Sequence, residues 1–359
     1  MSKIYKPDFY DRFRCTADKC SFNCCQQWDI AVDEKTLQCW KQTILNGKRL
    51  VSEVIQGEHG CQIRMGEDHQ CPFLDETGLC KLVSTFGEEI LSETCKTFPR
   101  QIQVYGDRVE YSLMPGCPEV IEYLYQTDRL RIQMVEVEEA GQATVVAERH
   151  EASEKKMLAI RDKLLEILQD ERYSVAVSWM TAFYVLLELQ ERECLEVDYT
   201  VIADQIAQME TDPEETIWER NELLLDMVAE HQEKGLYIEY LDPLVERAEE
   251  VEDKIEALFE CCEMEEAESF FRNYLCNEVY SNLCFPGAAL TDMILSMEWI
   301  SLTYACIRQA VLLGSDVRES VMFFSRIMGF AREDSVAYLE ECFEEPIWDL
   351  GYMFLLLSV

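Results

Sequence analysis

Hydrophobic residues follow helical spacing through most of the second part of this 359-residue chain. Four of them recur every three or four positions, as on one face of an α-helix: Met157, Ile160, Leu164 and Leu168. Residues 268–283 show a similar amphipathic pattern, whereas residues 175–189 and 289–313 are apolar enough to form buried helices. The pattern therefore predicts a mainly α fold for the region that begins near residue 157.

Residues that favour helix starts and ends subdivide this region. Asp212 followed by Pro213 is typical of the first positions of a helix. Ser315 can cap a short helix that stops at Gly329. We expect helices to begin at both places.

The first part of the chain has a different pattern, with short alternating stretches. Residues 27–32 (QWDIAV) alternate like a β-strand, and Asp33 can cap a helix over residues 34–46. Residues 100–114 alternate on both sides of Gly106-Asp107, which predicts a β-hairpin with a two-residue turn. We expect an irregular module with small β-hairpin elements.

These patterns divide the chain into three segments. Residues 1–134 are expected to form a Cys-rich module that binds a metal or an iron–sulfur cluster, and residues 157–359 an acidic α-helical domain. Between them, residues 135–156 are acidic and poorly periodic, which is typical of a linker or an excursion between units.

The negative charge is concentrated in the second part. Residues 1–117 hold 14 Lys and Arg against 17 Asp and Glu, a net charge of −3, whereas residues 118–359 hold 18 against 53, a net charge of −35. Such a surface repels phosphate backbones and anionic lipids, so we expect neither nucleic acid nor a membrane as partner. A basic protein partner fits this charge; a solvated, solubilising surface is the alternative. The oligomeric state stays open.

The chain shows no sign of export or membrane insertion. Its start, MSKIYKPDFYDRF, lacks the basic and apolar segments of a secretory signal. The longest apolar run, residues 175–189, is shorter than the ~20 residues that a bilayer requires. We therefore expect a cytoplasmic protein.

Ten of the 17 cysteines lie before residue 118, and eight of these have dense spacings. The eight, named here the thiol set, are Cys15, Cys20, Cys24, Cys25, Cys71, Cys80, Cys95 and Cys117. Disulfides rarely persist in a reducing compartment, and thiolates suit zinc, copper(I) and iron–sulfur clusters. The thiol set therefore predicts a metal or cluster site, of which one four-iron cluster would use four thiols. A structural zinc that stabilises a core-poor module is the alternative.

Other candidate ligands and motifs give weaker signals. Cys39 and Cys61 lie outside the dense spacings and are expected to be structural; His59 and His69 flank the thiols and could complete a metal site, but are expected to be surface residues. The chain has no Cys-x2-Cys pair and no glycine-rich nucleotide-binding loop. The common zinc-finger spacings and a Rossmann-type methyltransferase are therefore not supported.

The motifs around the thiol set resemble the flagellin lysine-N-methylases, whose wider group shares a Cys-rich domain described as zinc- or iron-chelating. They are FRCTADKCSFNCCQQWDIAVD (13–33), CPFLDETGLCKL (71–82), GEEILSETCKTFPR (87–100) and the Cys117-Pro118 pair. The resemblance covers about the first 120 residues; beyond them it is loose, chiefly around FFRNYLCNEVYSNL (270–283).

This resemblance implies methyl transfer from S-adenosylmethionine to lysine side chains of flagellin. It also implies that the eight cysteines of the thiol set include the ligands of a [4Fe-4S] cluster, with zinc as the alternative. It implies no particular catalytic residue and no particular residue for binding the methyl donor.

Two functions of other classes remain open at this point. In one, a metal-binding module is attached to an acidic helical adaptor that holds a basic protein client without chemistry. In the other, the protein is a metallochaperone that passes iron or zinc onward. Retained flagellin binding without methyl transfer would favour the adaptor, and labile metal the metallochaperone.

Overall fold

The structure is a computed structural model that describes residues 2–57, 60–137, 151–191, 196–252, 258, 267–329, 335–339 and 350–358. Its strands are β1 (Ser2–Pro7), β2 (Ile44–Leu45), β3 (Lys48–Arg49), β4 (Val54–Gly57), β5 (Gly60–Ile63), β6 (Arg100–Tyr105), β7 (Arg108–Leu113) and β8 (Ile132–Val137). Its shorter helices, in the first part, are α1 (Glu34–Trp40), α2 (Lys81–Phe86), α3 (Glu93–Thr97) and α4 (Pro118–Gln126). The later helices are α5 (Glu151–Leu168), α6 (Val175–Glu191), α7 (Tyr199–Ile206), α8 (Pro213–Glu233), α9 (Ile238–Glu249), α10 (Glu268–Asn282), α11 (Leu290–Leu312), α12 (Val317–Ile327) and α13 (Leu350–Leu357). The mainly α fold with small β elements near the start is confirmed.

The largest sheet has four strands in the order β6-β7-β1-β8. Strands β6 and β7 form the predicted hairpin, in which Tyr105 pairs with Arg108 across the Gly106-Asp107 turn. Gly106 has φ +57°, a backbone conformation that favours glycine. Strand β1 lies parallel to β7 and antiparallel to β8, two pairings that join distant parts of the chain.

Two hydrophobic cores are present among the described residues. The small core lies within the Cys-rich part and contains Ile30, Val32, Trp40, Leu50, Ile63, Cys71, Phe73, Leu82 and Ile90. The large core contains buried residues from Phe9 to Leu357 and is centred on the helices of the second part. The domain bounds expected from the sequence stay a prediction.

The helix expected over residues 268–283 is confirmed as α10, but it is buried on all sides, so its expected amphipathic character is wrong. Every residue from Phe270 to Ser281 is buried. Its polar side chains bind the backbone of neighbouring loops instead of water: Asn273 Oδ1 accepts a hydrogen bond from Leu130 N (2.8 Å), and Arg272 Nη2 donates to Tyr173 O (2.7 Å). The polar face of this helix is thus an internal one.

The expected strand over residues 27–32 is also wrong. Ala31 forms only an isolated bridge with Gln62, while Ile30 and Val32 are buried in the small core. The alternation therefore reflects burial of every second side chain in a loop. The cap at Asp33 is confirmed, since its side chain accepts from Thr36 N, but helix α1 ends at Trp40 instead of residue 46.

The two helix starts predicted in the second part have different outcomes. Asp212 caps α8, accepting from Glu214 N with Pro213 in the first turn, as predicted. The cap of α12 is Asp316 instead of Ser315, because its carboxylate accepts from both Arg318 N (2.9 Å) and Glu319 N (3.0 Å).

The buried helices predicted over residues 175–189 and 289–313 are confirmed as α6 and α11. Residues 138–150 of the expected linker lie outside the described residues; β8 ends at Val137 and α5 begins at Glu151. None of the helices in the described ranges combines the length and hydrophobicity of a membrane-spanning segment.

Candidate functional site

The loop that holds the first two cysteines of the thiol set is folded by its own short-range hydrogen bonds. Ala17 N donates to Cys15 Sγ (3.4 Å), and Cys20 N donates to Ala17 O (3.1 Å). Ala17 has φ +49°, which is uncommon for a residue with a Cβ atom. Cys15 is exposed and Cys20 half-buried.

The adjacent pair Cys24 and Cys25 is held on both sides. Cys25 N donates to Asn23 Oδ1 (2.9 Å), and Trp28 Nε1 donates to Cys24 O (2.7 Å). Cys25 O accepts from Cys71 N (2.8 Å). The first cysteine motif is therefore hydrogen-bonded directly to the second, although 46 positions separate Cys25 from Cys71.

The remaining cysteines of the thiol set lie at starts of helices. Cys80 directly precedes α2, and Cys95 lies in the first turn of α3, where its N–H donates to Ser92 Oγ (3.3 Å). Cys117 directly precedes α4, with Pro118 as the first helical residue. Cys71 and Cys117 are buried, whereas Cys80 and Cys95 are half-buried.

The pKa values of Cys24 and Cys25 move apart because the two thiols share a hydrogen bond. That bond lowers the pKa of Cys24 to about 7, burial opposes the change, and the positive charge of Arg326 assists it. The same bond raises the pKa of Cys25, with burial and the nearby Cys24, Cys71 and Cys80 acting in the same direction. Cys24 is therefore the thiol of this pair that ionises first.

Cys71, Cys80 and Cys95 interact electrostatically with the pair Cys24 and Cys25. Burial, with smaller contributions from the charges of Cys95, Cys80 and Cys24, raises the pKa of Cys71 to about 12. Burial likewise raises the pKa of Cys95 to about 11, against a hydrogen bond from Ser92 that lowers it. Each of Cys24, Cys25, Cys71, Cys80 and Cys95 thus interacts electrostatically with at least one other of these five thiols.

Cys117 and Cys20, from the first cysteine loop, also interact electrostatically with Cys24. Burial raises the pKa of Cys117 to about 11, and the charges of Cys20 and Cys24 add to this. Burial also raises the pKa of Cys20, with smaller contributions from Cys15 and Cys24. The structure thus brings all eight thiols into one region, in which Cys24 lies near members of both groups.

Within the described ranges, no three or more His, Cys, Asp and Glu side chains surround a point that could hold a metal ion. The arrangement of these side chains therefore does not identify which four of the eight thiols would be ligands. The donor chemistry nevertheless suits a soft metal or a cluster, because buried thiolates repel one another unless a cation lies among them. Cys39 and Cys61 are not among the thiols that shift the pKa values of this set.

Arg326, on α12, attaches this region to the helical part. Its Nε donates to Gly116 O (2.6 Å), its Nη1 to Asn23 O (3.2 Å) and its Nη2 to Phe22 O (3.1 Å). Its guanidinium also lies 4.6 Å from the centroid of the Phe22 ring. One side chain thereby fixes the first cysteine loop and the residue that precedes Cys117.

Sequence reasoning missed Arg326 because its partners lie 210 or more positions away along the chain. The available signal was a lone arginine in the otherwise apolar run from Val321 to Met328. A long cationic side chain in such a run is expected to reach backbone carbonyls or a charged partner.

Two cavities differ in their distance from the thiols. A cavity of about 250 Å³ lies at the Gly106 end of strands β6 and β7 and is lined by charged residues including Arg108 and Asp162; no member of the thiol set lines it. A smaller cavity of about 30 Å³ is lined by Gly116, the neighbour of Cys117, and by residues of α10, α11 and α12. The smaller one is the cavity adjacent to the candidate site.

Residues 161–356 match the family described as the FliB lysine N-methylase C-terminal domain. The chain belongs to this family. The match includes α10, α11 and α12, so the likeness in the helical part is wider than the loose resemblance around residues 270–283 indicated. Arg326 and the helices that line the smaller cavity all lie within the FliB match.

Curated relatives of this FliB family member carry related names. The Lysine-N-methylase of Salmonella typhimurium (strain LT2) is 32% identical over 128 residues, which are 33% of this chain and 31% of that protein. The Lysine-N-methylase of Salmonella choleraesuis is 31% identical with the same coverage. The Flagellar biosynthetic protein FliU of Salmonella muenchen is 31% identical over 128 residues, 73% of its length. The chain spans about a third of the length of the two lysine-N-methylases. No solved structure matches it.

Proposed function

We propose that this chain is a protein-lysine N-methyltransferase that transfers methyl groups from S-adenosylmethionine to lysine side chains of flagellin. The observation that carries the proposal is the match of residues 161–356 to the FliB lysine N-methylase family. The names of the Salmonella relatives support lysine as the methylated residue and a flagellar protein as the substrate.

We also propose that four cysteines of the thiol set hold a [4Fe-4S] cluster, with zinc as the alternative. The proximity of Cys24 to both groups of thiols supports this, as does the burial of Cys71 and Cys117. When bound, such a cluster would supply an iron that can chelate the amino and carboxylate groups of the methyl donor, or a redox centre. Arg326 would keep the first cysteine loop and Gly116 in place whichever thiols are ligands.

Methyl transfer requires a neutral amine on the substrate. A lysine ammonium has a reference pKa of about 10.4, so its charged form dominates at neutral pH and has no lone pair for attack. The acidic surface of residues 118–359 attracts a basic protein but also stabilises the ammonium. A proton acceptor in a desolvated place is therefore required close to the reacting nitrogen.

The decisive experiment has two steps. Anaerobically purified protein is first analysed for iron, zinc and acid-labile sulfide, with about four irons and four sulfides per chain expected. It is then incubated with flagellin and S-adenosylmethionine, and methylated lysines are identified by mass spectrometry. Absence of methylated lysine with fully metal-loaded protein would contradict the enzyme proposal, and flagellin binding without methylation would favour the adaptor. Stoichiometric zinc without sulfide would replace the iron–sulfur cluster with zinc.

A further inference from the structure

The smaller cavity, named here the Glu278 cavity, lies between three helices and the segment that precedes Cys117. Glu278 enters it from α10, Trp299 from α11 and Ser325 from α12, while Gly116 closes a further side. Gly116 directly precedes Cys117, and Ser325 directly precedes Arg326. These two pairs of adjacent residues therefore connect the cavity to the thiol region.

Glu278 presents an unsatisfied acceptor to this cavity. Glu278 is only 8% exposed; Oε2 accepts a hydrogen bond from Asn282 Nδ2 (2.8 Å), whereas Oε1 makes no hydrogen bond of normal geometry with a described residue, although the neighbouring Asn277 amide is close enough to lower the pKa of the carboxyl group. Ser325 Oγ likewise makes no hydrogen bond of normal geometry in the described part of the chain, although it is close enough to Tyr274 to lower the pKa of that hydroxyl. Buried polar atoms normally find partners, so these two atoms define a polar position that a water molecule or the head group of a ligand would fill.

Other polar atoms of α10 also lack a partner among the described residues, namely Asn277 Oδ1, Tyr280 Oη and Ser281 Oγ, but of these residues only Glu278 lines the cavity. Asn273 and Arg272, on the same helix and equally enclosed, are both hydrogen-bonded to backbone carbonyl or amide groups. A buried carboxylate oxygen without a hydrogen-bond partner destabilises the folded state, whereas Asn273 and Arg272 find their partners within the folded chain. A group that arrives from outside the described residues would satisfy Glu278 in the same way.

Size and charge restrict what this group can be. The cavity measures about 30 Å³, which is room for a group of the size of a water molecule or an ammonium head but not for a nucleoside. Among the described residues that line it, Glu278 carries the only charge, which excludes anions and favours cations. An ammonium has three donors and no acceptor, which complements unpaired acceptors, and Trp299 and Phe324 provide aromatic surface for a cation or an aliphatic stem.

We propose that the Glu278 cavity binds the ε-ammonium group of the substrate lysine and that Glu278 accepts its proton. This inference rests on the proposed function for the identity of the substrate, but the ammonium site itself follows from the cavity. The proton passes from lysine Nζ to Glu278 Oε1, which leaves a neutral amine and a neutral carboxyl group. The Nζ lone pair is then free to form the bond to the methyl carbon, while the bond from that carbon to the donor sulfur breaks and its electron pair stays on sulfur.

The electrostatics of Glu278 agree with a proton acceptor. Burial raises its pKa to about 7, against the amides of Asn282 and Asn277, which lower it. Burial destabilises both the Glu278 carboxylate and the lysine ammonium, so it favours the neutral carboxyl group and neutral amine over a buried ion pair. The carboxyl group can therefore take up and release a proton near neutral pH.

The first test measures amine binding without any methyl donor. The melting temperature of the full-length protein is recorded with n-butylammonium chloride, with n-butanol as the neutral control and sodium chloride at equal ionic strength. We expect butylammonium alone to raise it by about 2–4 °C in the wild type. The same shift is expected in Glu298→Gln, a matched control in which another buried carboxylate without a partner among the described residues lies outside the cavity. It is expected to vanish in Glu278→Gln.

The second test measures methyl transfer to flagellin. Glu278→Gln is expected to lower kcat by about 100-fold with unchanged metal content, whereas Glu298→Gln keeps wild-type activity. Ser325→Ala, expected to weaken the butylammonium effect in part, serves as a second variant should Glu278→Gln fail to fold. Equal butylammonium effects in wild type and Glu278→Gln, or full activity of Glu278→Gln, would overturn the inference. A Glu278-dependent butylammonium effect in a protein that methylates no lysine would uphold the ammonium site and reject the proposed function.

Discussion

The small core of the Cys-rich part and the large core of the helical part differ in what stabilises them. Nine described residues form the small core, and half-buried Cys25, Cys80 and Cys95 pack around it. The large core instead contains whole buried helices and a buried ion pair between Arg161 and Glu110. A core this small supplies little hydrophobic stabilisation, so we expect the first region to depend on what its thiols bind and the second to be stable without it.

The strongest way to separate the two regions is to replace Cys24 and Cys25 together by Ser. We expect complete loss of bound metal and destabilisation of the first 120 residues, because the pair interacts with both groups of thiols. Metal analysis and limited proteolysis measure the effect, and helical circular dichroism should persist. Cys39→Ser with Cys61→Ser is the matched control and should retain metal. Unchanged metal content in the Cys24 and Cys25 double variant would mean that these two cysteines are not needed for metal binding.

In the large core, the largest effect is expected at Arg161. Its guanidinium makes two hydrogen bonds to the Glu110 carboxylate (2.7 and 2.6 Å) and both side chains are buried. Arg161→Met leaves Glu110 without this partner and should lower the free energy of unfolding by about 3–5 kcal/mol. Arg161→Met with Glu110→Leu should recover part of the loss in chemical denaturation. Metal content should not change in either variant; a change would mean that the two cores are coupled more tightly than expected.

Glu278 predicts a pH dependence that belongs to the helical part alone. Its pKa is raised by burial from 4.5 to about 7, so the folded protein keeps a proton that the unfolded chain has lost between these values. Stability should therefore fall as pH rises through this window, and Glu278→Gln should abolish about 3 kcal/mol of that fall. Urea denaturation at about pH 5 and pH 8 measures it, with exposed Glu222→Gln as control. Identical pH slopes for wild type and Glu278→Gln would show that this carboxyl is not perturbed.

The smallest predicted effect concerns the link between the regions. Arg326→Lys keeps the charge but cannot reproduce hydrogen bonds to Gly116, Asn23 and Phe22 at once, so it should cost about 1–3 kcal/mol and speed proteolysis near residues 22–23. Arg318→Lys, on the same helix but with a half-exposed ion pair to Glu122, should change stability by under about 0.5 kcal/mol. Equal effects of the two variants would argue against a specific role for Arg326.

Local chemistry explains which parts of the structure the sequence predicts. The Gly106-Asp107 turn and the caps Asp33 and Asp212 depend on neighbouring residues, and each was predicted correctly. Helix α10 was misread because its polar residues suggest a solvated face, whereas they bind loop backbones that only the tertiary structure supplies. A pattern of polar positions does not distinguish water from protein as the hydrogen-bonding partner.

The same distinction applies to the candidate site. Cysteine spacing predicts a thiol-rich region, and the structure brings its eight cysteines together, although no spacing rule selects four of them. Arg326 and Glu278 could not be predicted, because their importance depends on carbonyls and a cavity contributed by distant residues. Which four thiols act as ligands stays a prediction for the metal analysis of cysteine variants.

The parallel pairing of β1 with β7 makes most of the Cys-rich part an insertion between strands of one sheet. The chain leaves the sheet after Pro7 and returns to it at Arg100, while Lys3 lies beside Arg108 in the same sheet. Both ends of the intervening segment are thus anchored on a frame that packs against the helices, and the closure entropy of such a loop grows only slowly with its length. If the thiols hold the proposed metal, we expect this segment to melt and refold with metal loss and return while the frame stays folded, and hydrogen exchange would resolve it as a separate cooperative unit.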